Sequence, residues 1–138
     1  MKALFVLVSM IAASQPVMAG CTDGESDEVL SVESWAVDVS PDRAGMMTER
    51  TEIELLNHGR QAIQMIEGAI VFEDALGGYI ARISIERDLQ VGAGDLVSWG
   101  AEFGGTGLDR VANLDTSQVV VTACVARFLY ADGTKEEF

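Results

Sequence analysis

Histidine, cysteine and basic side chains are scarce in this chain, and each shortage closes a class of function. His58 is the only histidine, and Cys21 and Cys124 are the only cysteines. Structural zinc needs clustered Cys and His ligands, so no metal site is expected. A serine or cysteine nucleophile needs a base within hydrogen-bond reach. The lone imidazole stands between Asn57 and Gly59, in a stretch that reads as a turn, while Cys124 lies in a run that reads as a buried strand. Nine Lys and Arg face 22 Asp and Glu, for a formal net charge of −13. A chain this acidic repels phosphate backbones, so nucleic acid is not an expected partner. Gly104-Gly105-Thr106-Gly107 lacks the Lys and helix that a phosphate loop requires. Glu73 and Asp74 are neighbours on an expected strand and point to opposite faces, so they form no carboxylate dyad. No catalytic constellation and no cofactor site emerge, and the chain is expected not to be an enzyme. Long apolar runs are missing too: Ala3 to Ala13 is about 11 residues, short of the roughly 17 to 25 that span a bilayer.

Alternation is what the sequence does have. Trp35, Val37 and Val39 share one face, and Thr51, Ile53 and Leu55 alternate with Arg50, Glu52 and Glu54, as in half-buried strands. Ile66, Gly68, Ile70 and Phe72 follow on one face, then Tyr79, Ala81, Ile83 and Ile85, then Val97, Trp99, Ala101 and Phe103. Ser117 to Tyr130 is the longest apolar run of the remaining chain and the best candidate for a central strand. Lys135 to Phe138 suits a short edge strand. Asn57-His58-Gly59, Asp74 to Gly78, Val91 to Asp95 and Asp132-Gly133 supply the turns. A single helical turn fits near Leu108-Asp109-Arg110. The pattern predicts an all-β fold, an antiparallel immunoglobulin-like sandwich of about seven strands, with a small closed barrel as the competitor. Within it, Asn57 suits a positive φ and can bond its own backbone at a strand end. Gly68 marks a bulge or close backbone approach, and Asp74 can hold turn amides with its carboxylate.

The start of the chain says where such a domain would act. Lys2, the apolar run and the small residues Ala19 and Gly20 describe a secretory signal. Met18-Ala19-Gly20-Cys21 resembles the lipobox of bacterial lipoproteins. That resemblance implies removal of residues 1–20 and lipidation of Cys21, an anchor that lasts only with two or three acyl chains. It also implies a bacterial envelope protein with its domain in the periplasm, and Thr22 after the cysteine leans toward the outer membrane. Ordinary cleavage after Val17-Met18-Ala19 fits as well. In that case a Cys21–Cys124 disulfide becomes available in an oxidising compartment, and the two fates of Cys21 exclude each other. Residues 21–30 read as an acidic tether and 31–138 as the sandwich, close to the commonest single-domain size.

Leu55-Leu56-Asn57-His58-Gly59, the run Ile66 to Asp74 with Gly77, and Phe128 to Thr134 together resemble the FxLYD-type domains of secreted and lipid-anchored proteins. The resemblance spans Trp35 to Thr134. It rests on turn and core residues, so it implies a fold and no chemistry. The expected role is a non-enzymatic binding or assembly module, with the membrane met through the anchor and an envelope protein as partner. A sheet edge or the loop from Gly104 to Thr116 would be the contact. A ligand- or metal-binding sensor using the acidic loops is the alternative. Trp35, Trp99, Met46 and Met47 are the candidate binding surface, the tryptophans serving as core if buried.

Overall fold

The computed structural model describes residues 20–138. The expected leader therefore lies, but for Gly20, outside the described residues. Among them, no helix is long and apolar enough to cross a membrane. Seven strands form: β1 (Leu30–Pro41), β2 (Met47–Asn57), β3 (Ile63–Asp74), β4 (Tyr79–Ser84), β5 (Leu96–Phe103), β6 (Val119–Tyr130) and β7 (Lys135–Glu137). One helix, α1 (Leu108–Ala112), and a 3-10 turn at Thr116–Gln118 lie between β5 and β6.

The strands make two antiparallel sheets, ordered β1-β2-β5 and β4-β3-β6-β7. This is an immunoglobulin-like sandwich in which the fourth strand pairs with the third rather than joining the first sheet. The alternation explains the burial. Thr51, Ile53 and Leu55 point inward and are at most 2% exposed. From the facing sheet Ile66, Ile70, Phe72, Ala123, Val125 and Phe128 close the core. Trp35 stands edge-on to Phe72, their centroids 6.2 Å apart, which bridges the two sheets. β6 lies between β3 and β7, so the longest apolar run is indeed an interior strand. Gly68 falls at a register shift between β3 and β6, and a Cβ there would stand 2.7 Å from the Cys124 carbonyl oxygen. Asp74 accepts from the amides of Leu76 and Gly78 and closes the β3–β4 hairpin.

Three details depart from the alternation and turn readings. Tyr79 is 68% exposed rather than core, because a register shift at Phe72/Glu73 pairs it with Glu73. Asn57 does not take a positive φ; no described residue other than glycine does. It is instead fully buried. The stretch read as an acidic tether is not loose. Ser26 and Val125 exchange backbone hydrogen bonds of 2.8 and 2.9 Å, and Leu30 is already core.

Cys21 and Cys124 are joined by a disulfide, the alternative that the sequence left open. In this form the Cys21 sulfur is not available for lipidation. Cys124 points away from the core, and the bond fastens residues 20–26 across the outer face of the four-stranded sheet. Val71 lies on that same outer face, yet it is only 2% exposed because this strap covers it.

Candidate functional site

Past the end of the strap, the outer face of the four-stranded sheet opens into a cleft of about 370 Å³. Its floor follows from register. Met65 lies opposite Leu129, and Leu129 opposite Lys135, which makes one cross-strand row. Glu67, Arg127 and Glu137 make the next row in the same way. Side chains opposite one another on one face of a sheet are in contact range, so sequence positions far apart become one surface. Arg87, in the loop after β4, forms the rim; its carbonyl accepts the Ile66 amide at 2.9 Å.

The two rows differ in chemistry. Arg127 is held between carboxylates: its Nε donates to Glu67, and its Nη1 stands 3.8 Å from Glu137. The hydrogen bond from Arg127 and then its charge, aided by Arg87, keep the Glu67 carboxyl below its usual range despite some desolvation. The same pairing raises Arg127. The one cation of that row is thus matched from within. The other row is apolar at Met65, which is 37% exposed, and at Leu129, and it ends in a cation. Neither Lys135 nor Arg87 has an ion-pair partner among the described residues. Three of the nine basic residues of a −13 chain thus line one cleft, against two carboxylates.

The residues singled out from sequence fall elsewhere. Trp99 is 7% exposed and belongs to the core, while Trp35 is half-buried, packs against Phe72 and lines, with Trp99, a separate shallow cavity on the three-stranded sheet. Met46 and Met47 are 68% and 58% exposed at the β1–β2 turn, far in sequence from the cleft residues. The loop from Gly104 to Thr116 is fastened rather than open. Thr106 donates its amide and hydroxyl to Glu49, which is 5% exposed, while Leu108 and Val111 are buried. His58 Nε2 stands 2.6 Å from Ser31 Oγ, and that hydroxyl donates to Glu33 at 2.7 Å. The Glu33 carboxylate faces the same ring nitrogen at 3.9 Å. In a catalytic triad the acid holds the opposite nitrogen, so this trio is not arranged as one. Glu25 stands beside the disulfide, its carboxylate and both sulfurs within 4.8 Å of one another. Arg82 donates to it at 2.5 Å and Thr22 at 3.0 Å. Bonded sulfurs are not thiolates, and the thiolate is the form in which cysteine ligates metal.

Nothing in the linear sequence marks the cleft, since Arg87 and Lys135 meet only through strand register. The signal available was indirect: cations are few, and three of them flank apolar strand residues. No family model matches the chain, and comparison with curated proteins and with solved structures yields no match.

Proposed function

We propose that this chain is an exported, non-enzymatic binding module of a bacterial envelope, and that it binds through the outer cleft of its four-stranded sheet. The observation that carries the reading is the pair of unpartnered cations, Arg87 and Lys135, beside an apolar floor of Met65 and Leu129 in an otherwise acidic molecule. Exposed, unpaired cations next to apolar side chains suit a small ligand with an anionic head and an apolar body. Binding sites of this kind combine a mostly apolar wall with a few placed polar groups. The leader-like start supports export, and so does a disulfide, which persists in oxidising compartments. A thioether at Cys21 would anchor the same module to a membrane and would leave Cys124 as a free, buried thiol. The acyl anchor and the disulfide therefore describe two different molecules.

Titration with octanoate, followed by amide and methyl NMR shifts, tests the cleft. Octanoate is expected to give saturable shifts at Met65, Leu129 and their strand neighbours, weaker at high salt because exposed charges are screened. Octylamine, of matched length and opposite charge, is expected to give none. The double variant R87E/K135E should fold normally and lose the octanoate response. Equal response to both probes, or no saturable shift, would remove the cleft reading.

A further inference from the structure

Gly20, the residue just before the disulfide, is packed against the sheet. Its φ is +81°, a region that favours glycine, and a Cβ built on it would stand 2.7 Å from Glu73 Oε1 and 3.1 Å from Val71 Cγ1. The Gly20 nitrogen is bonded to the same Cα as that Cβ position. It therefore lies within about 5 Å of the Glu73 carboxylate. Glu73 is half-buried and has no ion-pair partner among the described residues. In an uninterrupted chain the Gly20 nitrogen is a neutral amide beside this carboxylate. In a chain that starts at Gly20 it is an ammonium within about 5 Å of an otherwise unmatched charge, a range at which opposite charges attract.

The flanking sequence supplies the matching cut. Val17-Met18-Ala19 presents small residues at the spacing that a signal peptidase accepts. The competing cut, one residue later, would free the Cys21 amine for a lipoprotein start, but the sulfur that must carry the lipid is bonded to the fully buried Cys124. We propose that the Ala19–Gly20 peptide bond is the processing site, and that the new Gly20 ammonium docks on the Glu73 carboxylate beside the Cys21–Cys124 disulfide. Hydrolysis adds one water across that bond: Ala19 leaves with a carboxylate and Gly20 keeps the ammonium. The disulfide forms separately, as a two-electron thiol oxidant of the exporting compartment removes both sulfhydryl hydrogens. The inference rests on the export reading above and is independent of the cleft.

The test is the intact mass of the full-length chain after export from a bacterial host, measured without reductant. The expected species starts at Gly20, is two hydrogens lighter than its dithiol, and takes up iodoacetamide only after reduction, at two sites. A species starting at Cys21 with acyl chains would overturn the cut site and leave export standing. An uncut chain retained in the cytoplasm would overturn both. The ion pair is tested by Tm on the exported protein. Glu73→Gln and selective acetylation of the α-amine should each lower Tm, and together lower it no further than either alone. Fully additive effects, or no effect of either change, would overturn the docking.

Discussion

Asn57 is fully buried, and its amide nitrogen lies 2.9 Å from the Gln61 carbonyl and 3.2 Å from those of Val91 and Gly92. Its Oδ1 accepts the Gly59 amide at 2.9 Å. One side chain thus ties the end of β2 to the loops before β3 and before β5. Truncation would take this partner from the Gln61 carbonyl and the Gly59 amide, while the Val91 and Gly92 carbonyls keep the amides of Ile63 and Asp95; each buried group left unpaired costs about 1 to 3 kcal/mol. Asn57→Ala is therefore expected to destabilise the fold by about 3 kcal/mol, read as a lower urea midpoint at unchanged slope. Gly68→Ala is the other severe single change expected. Its methyl would meet the Cys124 carbonyl and the Val125 backbone at 2.7 and 3.0 Å, and crowding of this kind costs about 1 to 3 kcal/mol. Propensity could suggest that both positions were special. It pointed to Gly68 for the right reason, a bulge, and to Asn57 for half of the reason: the turn bond to Gly59 forms, but without a positive φ, and the burial between neighbouring loops shows only once those loops are placed.

The β3–β4 hairpin shows how a local motif becomes a pH-sensitive element. Asp74 accepts the Gly78 and Leu76 amides, and Arg110 of α1 donates to it at 3.0 Å. The Gly78 amide first, then Arg110, hold its carboxyl below the usual range. A depressed carboxyl stabilises the fold fully above its unfolded value, about 3.9, and that stabilisation is lost as pH falls through the lower folded value. Tm should accordingly fall on acidification below pH 4, and Asp74→Asn should lower Tm at pH 7 and flatten that acid limb. Strand identity was legible because its signals are local: β2 and β5 can be read from side-chain period alone, and β6 from its long apolar run. Register was not. The shift at Phe72/Glu73 that exposes Tyr79, and the pairing that sets Lys135 beside Leu129, depend on which strands meet. The cleft is built from those pairings, so it stayed out of reach of the sequence.

Across the whole molecule, the disulfide closes a loop between positions 103 residues apart. In the chain-entropy account a loop near 100 residues contributes about 4.7 kcal/mol by restricting the unfolded chain. The variant Cys21→Ala with Cys124→Ala should therefore lose roughly 2 to 5 kcal/mol of unfolding free energy. Hydrogen exchange should rise first at Ser26 and Val125, whose paired amides the bond protects. Sequence alone posed the choice at Cys21 but could not settle it, because nothing linear states that residues 21 and 124 approach. The antiparallel pairing of Ser26 with Val125 brings them within reach. The closed ring takes in β1 to β5 and the first half of β6. A protease that nicks any connection inside it, such as the exposed Gly104-Gly105 stretch, would yield two fragments that still travel as one band until a reductant is added. The domain can be cut without being taken apart.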